Sequence, residues 1–195
     1  DDQFAGARAR FSSDCGAALA MIHQLEPSTV DGLVDTDQVA FYTDVLDALG
    51  QPHPTFELVR NWLIANRSER TRTTIVHGDF RLGNLIVDDG GMRAVIDWEL
   101  VGIGPVLNDI GWFATFNDPL AWNDSGHRGH FMPQADELIP MYVDAYAEEL
   151  PDINWYRALA SYKFAIITGF NLMLHRRGKR DDPMWETSKD SMESL

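Results

Sequence analysis

The sequence predicts a mainly helical α+β fold, formed by a single domain over residues 1–195. Apolar residues recur at helical spacing through most of the chain, but Thr73–Glu99 is rich in β-branched residues and contains the turn signal DDGG. The chain has 195 residues, of which 45% are hydrophobic and 24% charged. That length and composition suit one globular domain with a substantial core.

Three amphipathic helices are predicted ahead of the β-rich segment. The first covers Phe11–Leu25, where apolar residues recur near helical spacing. The second lies in DTDQVAFYTDVLDALG, with an N-cap within Asp35–Asp37 and a C-terminal stop at Gly50. The third is FELVRNWLIANR, with Thr55 as its predicted N-cap.

The middle of the chain predicts strands, and the rest predicts helices. TTIV is β-branched, and Leu85–Val87 with Arg93–Ile96 predict a short hairpin across DDGG. After Pro105 come three helical segments, PVLNDIGWFATF, ADELIPMYVDAYAEEL and WYRALASYKFAIITGFNLMLHRR. The loop between the first two carries His127 and His130, but without a third ligand this pair favours an ordinary loop over a metal site.

Charge and cysteine content exclude several classes of protein. The net charge of −14 argues against nucleic acid as a partner, because phosphate backbones are bound by clustered lysine and arginine. Cys15 is the only cysteine, which excludes an internal disulfide and a cysteine-based zinc cluster. The sequence has neither a membrane-spanning apolar run nor the order of a signal peptide. We therefore expect a soluble, cytoplasmic protein that does not bind a membrane.

One segment sets polar residues among apolar strands. HGDFRLGN has the pattern H-x-D-x-x-x-x-N of the protein-kinase catalytic loop, and Asp97 ends the next strand pair, thirteen residues after Asn84. Magnesium prefers hard oxygen ligands and takes few carboxylates, so Asn84 and Asp97 suit it while Asp79 accepts a substrate proton. Alone, either aspartate is more often a turn or strand-end residue, but together with the asparagine they favour function.

The segment resembles the aminoglycoside phosphotransferase and choline kinase group, in which HGD-x-x-x-x-N precedes an I-D-[WF]-[EDG] strand end. More closely, VHGDFRLGNLIV and AVIDWELVGIGPVLNDIGW resemble the phosphotransferase domains found fused to acyl-CoA dehydrogenases. ALAMIHQLEP and WYRALASYKFAIITGFNLML resemble helices of that family before and after the motif. The resemblance covers nearly the whole chain and implies a protein-kinase-like fold.

The resemblance also implies roles for individual residues. Asp79 becomes the catalytic base, Asn84 and Asp97 become ligands of Mg²⁺ on ATP, and His77 packs within the catalytic loop. Asp109 matches a family aspartate that hydrogen-bonds back to this loop. In GIGPVLND the spacing from proline to aspartate is one residue longer than the family pattern, so the neighbouring asparagine is an alternative.

Each of three further residues has two possible roles. Glu99 either assists the metal through a water molecule or is a solvated strand-end carboxylate. Arg81 either meets a phosphate or pairs with Asp79 or Asp109. His23 lies on an apolar helix face, which favours a hydrogen-bonded core histidine over a ligand.

Two parts of a kinase are missing from the sequence. No G-x-G-x-x-G precedes His77, and every lysine follows Asp97. The chain is therefore expected to be the C-terminal lobe alone, with a catalytic loop at 77–84, a metal-binding strand end at 97–99 and a helical substrate-side part at about 105–195. The N-terminal lobe is expected to be absent from this chain, and ATP turnover by the chain alone is expected to be weak or absent.

The leading hypothesis is an ATP- and Mg²⁺-dependent phosphotransferase that acts on a hydroxyl of a small molecule. The acidic composition favours an aminoglycoside-like amine as acceptor, whereas the dehydrogenase-fused relatives favour a hydroxyacyl compound. A non-catalytic binding or scaffold module that keeps the lower lobe is the alternative. A magnesium-dependent hydrolase ranks last, because the sequence offers no nucleophile for it.

Overall fold

The first third of the chain is helical. The computed structural model describes residues 4–50, 54–68, 72–122, 133–146 and 150–191. Helix α1 covers Ala5–His23, α2 covers Gln38–Leu49 and α3 covers Pro54–Ala65. The Asp37 side chain caps α2 by accepting the backbone N–H groups of Val39 and Ala40, and Gly50 ends it in the left-handed conformation.

Four short strands form two separate antiparallel pairs. Strand β1 (Thr73–Val76) pairs with β4 (Gly102–Pro105), and β2 (Leu85–Asp88) forms a hairpin with β3 (Gly91–Val95). The hairpin and β1 were predicted, but β4 was not, because glycine and proline have low strand propensity. The register with β1 runs from Thr73↔Pro105 to Val76↔Gly102, and this pairing holds β4 in the strand conformation.

Four helices follow the strands, and all but the last were predicted. They are α4 (Leu107–Asn117), α5 (Ala135–Tyr146), α6 (Asn154–Arg176) and the short α7 (Met184–Ser188). Helix α1 packs against α5 and β3, whereas α6 lies along α4 and also contacts α2 and α3. Therefore α4, whose first turn contacts the segment HGDFRLGN, lies against α6, the longest described helix.

Two apolar clusters hold these elements together. The larger joins α1, α4 and α5, and its fully buried members include Leu19, Phe80, Phe113 and Tyr142. Phe80 belongs to the segment HGDFRLGN, so this segment is anchored in the core by one of its own side chains. The smaller cluster joins α2, α3 and α6.

Two local predictions were wrong. Thr55 does not precede α3 as a cap, because the helix already begins at Pro54, whose fixed φ suits a first helical position. Helix α1 begins at Ala5, earlier than the predicted Phe11, and ends at His23. No helix in the described part of the chain is both long enough and apolar enough to cross a membrane.

Candidate active site

The Asp79 carboxylate stands at the centre of a hydrogen-bonded group. Its Oδ1 accepts the indole N–H of Trp112 at 2.9 Å, and its Oδ2 accepts Nδ2 of Asn84 at 2.8 Å. Nε of Arg81 approaches both oxygens, at 3.2 and 3.0 Å. The carboxylate is therefore held in one orientation by donors from two sides.

Asn84 is buried, and its amide is oriented by Asp79. Nδ2 donates both to the Asp79 carboxylate and to the Asp79 backbone carbonyl, at 2.8 and 2.9 Å. No residue in the described part of the chain donates to Oδ1 of Asn84. The amide oxygen is thus available to coordinate a hard cation.

Asp97 lies at the end of the hairpin in a strained conformation. Its φ is +67° and its ψ +62°, which makes it the one described non-glycine residue with positive φ. Such backbone strain concentrates at functional sites. The side chain is exposed and makes no hydrogen bond or ion pair with the described residues.

The residue before Asp97 links the end of the hairpin to the segment HGDFRLGN. The N–H of Ile96 donates to the carbonyl of Asn84 at 2.9 Å, and the Ile96 carbonyl accepts Nε2 of His77 at 3.0 Å. Asp97 therefore follows directly after a residue that is tied to both ends of HGDFRLGN. This connection brings the segments of Asp79, Asn84 and Asp97 together.

His77 is a buried connector within the loop. Its Nδ1 accepts the backbone N–H of Asp79 at 3.2 Å, so Nε2 carries the proton that is donated to Ile96. The ring also packs on Trp98, with centroids 4.6 Å apart. His77 thus holds the backbone on both sides of the site without reaching into it.

Asp109 supports the loop from α4. It is fully buried, and its carboxylate accepts the N–H groups of His77 and Gly78 at 2.7 and 2.8 Å. Oδ2 also contacts Nε2 of His23 at 3.1 Å. Burial alone raises the pKa of Asp109, but the His23 interaction and the two backbone bonds outweigh it and hold that pKa below its usual value. Asp109, rather than Asn108, contacts the loop.

Two contacts of the site were not anticipated. His23 was expected to be a hydrogen-bonded core residue, and it is, since Nδ1 contacts the Tyr142 hydroxyl at 2.9 Å. Its link to Asp109 joins positions 86 residues apart, which periodicity does not reveal. Trp112 lies in the predicted helix PVLNDIGWFATF, and its indole N–H donates to Asp79. A tryptophan N–H that needs a partner when buried was the only available signal.

The other two residues with two possible roles, Arg81 and Glu99, lie at the edge of a cleft in front of Asp79. Arg81 pairs with Asp79 rather than with Asp109, and its side chain is 37% exposed. Glu99 is exposed and lines the same cleft as Asp79. His127 and His130 lie outside the described residues.

A cleft of about 800 Å³ opens in front of Asp79. Besides Arg81 and Glu99, its walls are mainly apolar and aromatic and come from α4, α6 and α7. They include Trp112, Phe116, Phe164, Ile167, Met184 and Trp185. This volume is enough for a drug-sized organic molecule.

The donor set near Asp79 suits a divalent cation that keeps other ligands. No group of three or more histidine, cysteine, aspartate or glutamate side chains in the described ranges is arranged to hold a metal ion. Asn84 and Asp97 instead offer one amide oxygen and one carboxylate. Magnesium uses one or two carboxylates and completes its shell with water and phosphate oxygens, so these residues fit such an ion.

Comparison with known sequences gives a consistent result. The sequence profile described as "Phosphotransferase enzyme family" matches residues 3–159. Acyl-CoA dehydrogenase family member 11 from Homo sapiens is 31% identical over 139 residues, which is 66% of this chain and 18% of the relative. The chain therefore spans about a fifth of the length of that protein.

Solved structures of similar fold are more distant in sequence. A candidate aminoglycoside phosphotransferase from Ralstonia eutropha superposes with a TM-score of 0.76 at 19% identity, over 100% of this chain and 66% of that chain. A choline/ethanolamine kinase family protein from Mesorhizobium loti gives 0.65 at 17%, over 95% and 60%. An amicoumacin kinase in complex with AMP-PNP and Ca²⁺ gives 0.55 at 14%, over 88% and 54%. These likenesses establish the fold.

Proposed function

The chain belongs to the phosphotransferase enzyme family, and from this premise we propose that it transfers the γ-phosphoryl group of ATP to a hydroxyl of a small molecule, with Mg²⁺ as the cation. One observation carries the proposal. Asp79 and Asn84 meet at 2.8 Å, and the segment of Asp97 is tied to Asn84 through the Ile96 N–H. This arrangement supports the roles of one base and two metal ligands, which phosphoryl transfer requires.

Each residue has a separate role in this proposal. Asp79 accepts the proton of the attacking alcohol, and its hydrogen bonds hold it in the orientation for that transfer. Asn84 and Asp97 would hold Mg²⁺, which would neutralise charge on the phosphates. His77 and Asp109 position the loop, and Glu99 at the rim would assist the metal through a water molecule.

The nucleotide is proposed to lie over the hairpin. Ile86 is 48% exposed and Ile96 is 42% exposed, and both flank the proposed metal ligands in the sequence. Exposed apolar side chains beside a phosphate site suit a purine base. AMP-PNP and Ca²⁺ in the similar amicoumacin kinase support the use of a nucleotide with a divalent cation.

We further propose that a separate upper lobe covers this face and supplies the lysine that grips the phosphates. The exposed isoleucines of the hairpin support this part of the proposal. The 195-residue chain alone should then bind ATP with Mg²⁺ no more tightly than about millimolar. Sub-millimolar affinity in a calorimetric titration would show that no further lobe is needed for binding.

The acceptor is proposed to enter the cleft in front of Asp79. Its aromatic walls favour a molecule with an apolar body and a hydroxyl, such as a hydroxyacyl compound, over a polyamine, which carboxylates bind best. Glu99 is the one carboxylate besides Asp79 among the described residues that line the cleft. An aminoglycoside-like amine remains the comparison substrate in the assay below.

The central test is the Asp79→Asn variant in the longest natural form of the protein. ADP release is measured against a panel of hydroxyl acceptors, including hydroxyacyl compounds and aminoglycosides. Loss of the base should lower turnover at least about 100-fold. Asp144→Asn, at an exposed position of α5 that does not line the cleft, is the matched control and should retain full activity. If Asp79→Asn keeps wild-type turnover and an intact circular dichroism spectrum, Asp79 is not the base.

A further inference from the structure

A second cavity adjoins the acceptor cleft at Leu100, which lines both. Its volume is about 240 Å³, and its walls come from the loop before α2, from α2 itself, from the segments around β1 and β4, from the first turn of α4, and from one residue of α6. That residue is Lys163. The proposed catalysis uses neither this cavity nor this lysine.

Lys163 is a buried cation without a hydrogen-bonding partner. It is 6% exposed, and its ammonium lies 4.9 Å from the ring centroid of Trp112 and 5.3 Å from that of Tyr42. It donates no hydrogen bond within the described part of the chain, although an ammonium has three donors. Aromatic faces attract a cation but leave those donors unsatisfied.

Two carboxylates that form no ion pair with Lys163 help it to keep its charge. Burial lowers its pKa from 10.5 to about 8, while the carboxylates of Asp109 and Asp79 oppose that shift. The amine therefore stays largely protonated near neutral pH. A protonated amine that borders a cavity without a close counter-ion is suited to an anionic ligand.

The cavity walls agree with this charge. In a chain of net charge −14, no aspartate or glutamate is among the described residues that line the cavity. Four other polar side chains line it, all uncharged and none in a side-chain hydrogen bond with the described residues: Thr36, Gln38, Tyr42 and Asn108. One cation and four uncharged polar side chains thus border the same space.

The remaining walls are apolar, and they limit the ligand. Val34, Phe41, Val101 and Ile103 line the cavity beside these polar groups. At about 30 Å³ per water molecule, the volume equals that of about eight waters, and we choose a ligand with about as many non-hydrogen atoms. We propose that the cavity binds a small organic carboxylate, which pairs with Lys163 and lays a short apolar chain against these side chains.

The proposal is tested by calorimetry on the chain without nucleotide, so its outcome is independent of the phosphotransfer proposal. Hexanoate has eight non-hydrogen atoms, and hexanamide is its uncharged counterpart. Hexanoate should bind at least about tenfold more tightly than hexanamide, the difference expected for a charge-assisted hydrogen bond. Equal binding of the two, no binding of hexanoate, or tighter binding of inorganic phosphate would overturn the proposal.

Variants locate the binding site. Lys163→Met should weaken hexanoate binding at least about tenfold and leave the affinity for hexanamide unchanged. Lys189→Met is the matched control, because that lysine is exposed and pairs with Glu186. Should Lys163→Met fail to fold, Asn108→Leu removes an uncharged polar partner and should weaken hexanoate about threefold to tenfold. Unchanged affinity in the folded variants places hexanoate elsewhere and refutes the assignment.

Discussion

Lys163→Met should change how the stability of the protein depends on pH. Burial lowers the pKa of Lys163 from 10.5 in the unfolded chain to about 8 in the folded one, with Asp109, Asp79 and Tyr42 as the nearby titratable groups. Between these values the unfolded chain binds more protons, so wild-type stability rises with pH through this range. At 1.36 kcal/mol per pH unit the full gain is about 3 kcal/mol. The contacts with two aromatic rings reduce it by about 1 kcal/mol.

The measurement is urea unfolding of wild type and Lys163→Met at pH 7 and pH 10. Relative to the methionine variant, wild type should gain about 2 kcal/mol between the two pH values. Tyr42 is present in both proteins, and burial, with the Asp79 carboxylate, raises its pKa to about 12, so its contribution cancels. Lys189→Met should follow wild type. A difference between wild type and Lys163→Met that stays constant with pH refutes the claim that burial lowers the pKa of Lys163.

Three other predictions concern the site. Asp109→Asn should cost about 2–4 kcal/mol of unfolding free energy at pH 7, because it turns one of the two buried oxygens that accept backbone N–H groups into an NH₂ donor; since the folded pKa of Asp109 is depressed, the difference from wild type should narrow as urea unfolding is repeated below about pH 4. Gly78→Ala should cost more than about 3 kcal/mol in thermal unfolding, because φ is +84° and a Cβ would lie 2.3 Å from the Leu100 carbonyl oxygen. Gly50→Ala, at φ +65° in open space, should cost only about 1 kcal/mol, and equal costs would refute the steric argument. Asp97→Asn should weaken binding of Mg²⁺ with ATP at least about tenfold in the longest natural form, and unchanged affinity would exclude Asp97 as a ligand.

The features predicted from the sequence are those that depend on local pattern. The α2 cap at Asp37 and stop at Gly50, the hairpin across DDGG and the proximity of Asp79 to Asn84 all arise within a few residues. Short-range geometry fixes such features, so residue type and spacing are sufficient to find them. The roles of Asp79, Asn84 and Asp97 in catalysis stay predictions.

Features that depend on distant parts of the chain were not predicted. Strand β4 has a composition that disfavours strands, and only its pairing with β1 orders it. The contacts of His23 with Asp109, and of Trp112 with Asp79, arise because α4 packs beside the loop and α1. Sequence periodicity identifies which face of a helix is buried, but it does not identify the partner.

The crowded surroundings of Asp79 have a consequence for the binding of an alcohol. Three side chains already occupy both oxygens of the carboxylate, so an incoming hydroxyl must exchange with one of them instead of filling a vacancy. Arg81 is the donor most easily released, since it is 37% exposed and water can satisfy it. The affinity for the acceptor should therefore depend on how easily the Arg81 side chain moves away from Asp79, as well as on the shape of the cleft.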